Sequence, residues 1–64
     1  MNKGYVLKAN TKHGITYYMN IMMITDDKEC AEVFPNREEA EDKMGHFKRM
    51  FFYEEPIIEI EEVN

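Results

Sequence analysis

"YYMNIMMI", Tyr17 to Ile24, is the stretch on which the fold turns, because as a strand it is apolar on both sides. Read as one strand from about Ile15 to Thr25, its odd positions Ile15, Tyr17, Met19, Ile21 and Met23 are all apolar, as period-two burial requires. Its even positions begin as Thr16, Tyr18 and Asn20 and end as Met22 and Ile24. The odd face is therefore expected to meet the core. The even face, with Tyr18, Met22 and Ile24, is more apolar than the wet side of an antiparallel sheet needs. A second copy of the chain is the expected cover, since most oligomers are symmetric dimers.

The neighbouring segments supply the rest of a sheet. "GYVLKAN" predicts a first strand with Tyr5, Leu7 and Ala9 on one face and Val6 and Lys8 on the other. The polar run Asn10 to Gly14 then suits a hairpin loop. After Thr25, Asp26-Asp27-Lys28 predicts a turn. "ECAEVF", Glu29 to Phe34, predicts a short third strand.

A helix follows. Asn36 is a good N-cap and Glu39 lies three residues on, a capping-box arrangement that satisfies free amides of the first turn. Ala40, Met44, Phe47 and Phe51 recur at spacings of four, three and four and form one apolar stripe. Gly45 weakens the middle of the helix and is expected to allow close packing there. Glu54-Glu55-Pro56 ends the helix, since proline disfavours helical geometry in the residue before it. "IIEIEEV" predicts a last strand with Ile58 and Ile60 on one side and Ile57, Glu59, Glu61 and Val63 on the other. The expected fold is α+β in the order β-β-β-α-β: a three- to four-stranded antiparallel sheet with one helix on one face, in a single domain, residues 1–64.

Sixty-four residues bury only about 60% of the unfolded chain's surface on folding. Chains this small often depend on disulfides, metals or partner subunits. Cys30 is the only cysteine, so no intramolecular disulfide can form, and a small buried hydrophobe is its expected role. Cys30, His13 and His46 are scattered singly, without the spacing of a metal site. That leaves oligomerisation.

Catalysis is disfavoured. The chain has no serine, no glycine-rich phosphate loop and no nucleophile elbow. Carboxylates abound, but general acid work needs one held in a desolvated pocket, for which a fold this size has little room. No catalytic residue and no cofactor is assigned. No apolar run approaches the roughly 20 residues of a membrane span, nor does the N-terminus carry a signal pattern, so a cytoplasmic protein is expected.

Charge divides unevenly. Residues 1–33 carry four basic and four acidic side chains, whereas residues 34–64 carry four basic and nine acidic, which accounts for the whole net charge of −5. Direct nucleic-acid binding is disfavoured by this field, which attracts basic surfaces. Glu54, Glu55, Glu59, Glu61 and Glu62 are the expected acidic partner-binding set; a charged, protected edge strand is their structural alternative. Tyr18, Met22, Ile24, Phe52 and Tyr53 are the expected apolar contacts, for a partner or a second copy, since exposed apolar and aromatic groups dominate interfaces.

The "VFPNREEAEDKM" passage, Val33 to Met44, the "EEPIIEIEEVN" tail, Glu54 to Asn64, and the methionine and glutamate content resemble those of the very small acidic proteins of tailed bacteriophages. Members of that group bind and redirect one host protein, and some are similar to DNA in charge display. The resemblance implies a non-catalytic modulator or inhibitor of a host protein, acting in the host cytoplasm. One form would be an acidic, DNA-mimic-like homodimer occupying a basic nucleic-acid-binding surface. A structural or assembly accessory docking through an apolar sheet face is the alternative.

Overall fold

The computed structural model of the protein describes residues 4–51 and 54–63. They form strands β1 (Gly4–Thr11), β2 (Gly14–Asn20) and β3 (Met23–Thr25), a 3-10 turn (Lys28–Cys30), helix α1 (Arg37–Arg49) and strand β4 (Ile57–Val63). The strands make one antiparallel sheet in the order β3-β2-β1-β4, with α1 on one face, an α+β fold.

The β1–β2 hairpin sets the register. Its turn is two residues long, Lys12-His13, and closes on Gly14, whose φ of 123° lies where a glycine is favoured. The Thr11 hydroxyl donates to the Gly14 carbonyl oxygen at 2.8 Å and accepts from the His13 amide at 3.1 Å. A turn of even length pairs odd positions of β1 with even positions of β2, as in Ala9 with Thr16. Residues opposite one another share a face of the sheet. Leu7 and Ala9, paired on the other side with Ile60 and Ile58, therefore lie on the same face as Thr16 and Tyr18.

This reverses the expected facing of the second strand. The even side, not the odd one, turns toward the helix, and Leu7, Ala9, Tyr18, Phe34, Ala40 and Phe47 form the core. Ile15 and Met23, expected inside, are exposed.

Two further boundaries differ from expectation. The strand predicted over 15–25 is broken into β2 and β3 by a turn at Ile21-Met22. Asn20 causes the break: its side-chain oxygen accepts the Met22 amide at 2.8 Å, a local bond that competes with the ladder. "ECAEVF" is not a strand either. Asp27 caps the 3-10 turn by accepting the Glu29 amide at 2.9 Å, and the segment joins the sheet through Phe34, which pairs both ways with Tyr5, and through the Glu32 amide.

That bridge fills a split. The β1–β2 ladder ends at Lys8 and Tyr17. Beyond it the Glu32 amide donates to the Tyr18 carbonyl at 2.9 Å, and Tyr5 and Phe34 exchange backbone bonds of 3.0 and 2.7 Å. Gly4 leaves room for this passage, since a Cβ there would collide with the Val33 side chain.

On the sheet face away from the helix, Lys28 of the 3-10 turn ion-pairs with Glu61, the residue opposite Val6. The chain thus crosses its own second face before entering the split. Val6, on that side, and Ala31 are buried but lie outside the main cluster.

The helix starts as predicted. Asn36 accepts the Glu39 amide at 2.9 Å, and Lys48 and Arg49 occupy the last turn, where cations suit the dipole. It ends at Arg49, a turn before the predicted stop. Phe51 still packs on the core, edge to face with Phe47 at 5.3 Å.

Candidate protein-binding surfaces

At the outer end of the β2–β3 hairpin four consecutive apolar residues stand in solvent. Met22 is 83% exposed, Ile21 61%, Met23 52% and Ile24 39%. The Asn20 turn throws Ile21 and Met22 outward, and a tether to the helix holds them there. Nε2 of His46 lies 3.0 Å from the Ile21 carbonyl oxygen and, carrying the proton, donates to it. Ile21, Met22, His46, Arg49 and Met50 line a shallow groove of about 340 Å³ between hairpin and helix. Arg49 makes no ion pair among the described residues, so the groove has an apolar floor and a cationic rim.

The expected apolar contacts separate accordingly. Met22 and Ile24 are exposed at this end. Tyr18 is not: at 3% exposure it is a core residue, stacked on Phe34 at 5.8 Å and edge to face with Phe47 at 5.7 Å. Burial, and then the charge of Glu32, push its phenol above the usual tyrosine value. Phe52 and Tyr53 lie outside the described residues. One part of the two-sided apolar character that predicted a second copy is therefore met within the chain. Tyr18 belongs to the helix face, and the 3-10 turn shelters part of the other.

The five tail carboxylates do not line up. Glu59 and Glu61 share the face away from the helix, whereas Glu62, opposite Tyr5, lies on the helix side. Glu54 accepts the Lys12 backbone amide at 3.1 Å, beside the β1–β2 turn, and Glu55 is exposed. Glu59 accepts the Asn10 side-chain amide at 2.9 Å. Glu61 is bound by Lys28 and has Lys8 at 3.7 Å. Its hydrogen bond to Lys28 holds its carboxyl below the usual glutamate range, and the same bond pushes Lys28 above the usual lysine value. Glu61 thus works as an internal clasp between the 3-10 turn and the sheet.

Cys30 is exposed rather than buried. Its thiol lies 3.6 Å from Asp27, whose negative charge pushes the thiol's pKa up and away from the reactive thiolate. Gly45, expected at a close contact, faces open space: among the described residues, outside its own stretch of helix, no atom lies within 4 Å of where a Cβ would stand. Among the described residues no group of three or more His, Cys, Asp or Glu side chains is placed to hold a metal ion, and no helix is long and apolar enough to cross a membrane.

Sequence reasoning missed His46 and Arg49 as parts of the groove. The Asn20 turn was the available signal, because it marks where the chain reverses beside the end of the helix. Comparison with protein-family models, curated proteins and solved structures finds no match to this chain, so its function has to be read from its own residues.

Proposed function

We propose that the protein is a non-catalytic protein-binding modulator that grips its partner with the exposed end of the β2–β3 hairpin. The observation that carries this is the run Ile21 to Ile24, left in solvent outside the buried core. Contiguous exposed apolar groups mark interaction sites, and methionines adapt their shape to the surface they meet. The partner this suits is a protein with an apolar patch set in basic surroundings, since the net charge of −5 draws positive surfaces at long range. In the setting that the phage resemblance implies, it is a host protein.

The carboxylates steer the encounter instead of copying a phosphate backbone, because Glu61 is neutralised by lysines and Glu59 and Glu62 lie on opposite faces. The dispersal also favours apolar docking, shared with an assembly accessory, over DNA mimicry.

The test is affinity capture from a bacterial lysate at low and high salt, with Met22→Lys in parallel. A partner retained at both salt concentrations and lost with Met22→Lys supports the proposal. A partner kept equally by Met22→Lys refutes it, as does Met22-dependent dimerisation in light scattering of the purified protein, which would make the occupant a second copy.

A further inference from the structure

Strand β4 is a seven-residue edge of the open sheet, and the direction of its backbone groups follows from the ladder. Tyr5 gives both of its backbone groups to Phe34, on the β2 side of β1. Amides alternate in direction along a strand, so Val6 and Lys8 turn theirs to β4 and meet Glu61 and Glu59. The N–H and C=O groups of Ile58 and Ile60 consequently point out of the sheet. The β1–β4 ladder runs from Gly4 with Val63 to Asn10 with Ile57 without a bulge. The strand contains no proline, and its charges, Glu59, Glu61 and Glu62, are all negative, so they oppose another acidic strand rather than a basic one.

Each side of this edge offers a different chemistry. On the helix side, next to the half-buried Ile58, lies a groove of about 230 Å³ lined by Met44, Gly45, Lys48 and Pro56. Gly45 has no side chain to fill it, and outside its own stretch of helix no atom of the described residues lies within 4 Å of where one would start. On the other side Glu59 is exposed and hydrogen-bonded by the neutral Asn10 amide; Lys8 stands opposite it in the ladder but ion-pairs with Glu61, so Glu59 has no ion pair among the described residues. Glu61, beside it, is already taken by lysines.

A second copy fits poorly. Antiparallel pairing of two β4 strands centred on Glu59 sets Glu59 against Glu59, and pairing centred on Ile60 sets Glu59 against Glu61. Like charges directly opposite are destabilising. The register centred on Ile58 avoids both but sets Ile60 against Pro56, which has no amide to donate, and so shortens the ladder.

We propose that β4 is a strand-addition site for an extended segment of a partner protein in which apolar residues alternate with lysine or arginine. Its backbone pairs with Ile58 and Ile60, an apolar side chain enters the groove at Gly45, and a basic one lies over Glu59. Backbone bonds then supply affinity, while the groove and the carboxylate supply specificity. This surface is the opposite edge of the sheet from the hairpin end, and neither depends on the other.

The experiment is titration of the isotopically labelled full-length protein with a nine-residue peptide alternating valine and lysine, followed by amide shifts and hydrogen exchange. The amides of Ile58 and Ile60 are expected to shift and gain protection. A valine–glutamate peptide is expected to have no such effect. Gly45→Leu, which fills the groove, and Glu59→Lys, which reverses the charge, are each expected to weaken lysine-peptide binding about ten-fold or more. Met22→Lys is expected to leave it unchanged. Unaltered Ile58 and Ile60 amides, equal binding of both peptides, or full affinity in both Gly45→Leu and Glu59→Lys would overturn the proposal. Shifts confined to Ile21–Ile24 and abolished by Met22→Lys would also overturn it, while leaving the hairpin-end proposal standing.

Discussion

Tyr18 and Met22 lie four residues apart, and replacing each by alanine should have opposite consequences. Tyr18 is 3% exposed and its ring meets Phe34, Phe47 and His46 at centroid distances of 5.8, 5.7 and 6.3 Å. Removing a buried aromatic of this size costs about 3–5 kcal/mol, the lost transfer energy plus the cavity left behind. At about 0.05–0.15 kcal/mol per residue, a 64-residue domain has about 3–10 kcal/mol in total. Tyr18→Ala is therefore expected to unfold the protein or leave it marginal. Tyr18→Phe keeps the ring and is expected to cost less than about 1 kcal/mol. Met22, 83% exposed, has little burial to lose, so Met22→Ala should change stability by no more than about 0.5 kcal/mol. Urea unfolding followed by far-ultraviolet circular dichroism measures all three, since the helix and the sheet both report there. A Tyr18→Ala variant within 1 kcal/mol of the parent, or a Met22→Ala variant as damaged as Tyr18→Ala, would refute the assignment of even positions to the core.

Glu61 predicts an acid limb. Its folded-state pKa is lowered, so its contribution is complete above the unfolded value and disappears as pH falls through the folded one. Glu61→Gln should lower stability at neutral pH and flatten the loss below about pH 5, measured by urea midpoints across pH. Asn36→Ala removes the acceptor for the Glu39 amide and should destabilise by about 1 kcal/mol in thermal unfolding. Gly45→Ala, placed in open space within the helix, should stabilise by about 0.5–1 kcal/mol. A loss of stability there would mean that the space beside the helix is occupied.

Much of the molecule is legible one segment at a time. The Asn36 cap, the Gly14-closed hairpin, the Ala40-Met44-Phe47 stripe and the Ile58-Ile60 face all act through forces spanning a few residues, and the sequence alone determines them. So does the α+β class, which follows from their order. The site was less legible. Met22 and Ile24 were singled out as apolar surplus and are exposed, but Tyr18, chosen on the same ground, is core. The difference is parity: a two-residue turn at Lys12-His13 joins Leu7 and Ala9 to the even side of β2.

Only the tertiary structure decided which side of the doubly apolar strand met the helix, and what lay over the other. A strand with two apolar faces is nearly indifferent to which one is buried, so its own residues cannot choose. Pairing with β1 made the choice, together with a crossing segment whose Lys28 is anchored on Glu61, thirty-three positions further along the chain. Contacts between residues that far apart depend on where every intervening element has already packed, and that information exists only in three dimensions.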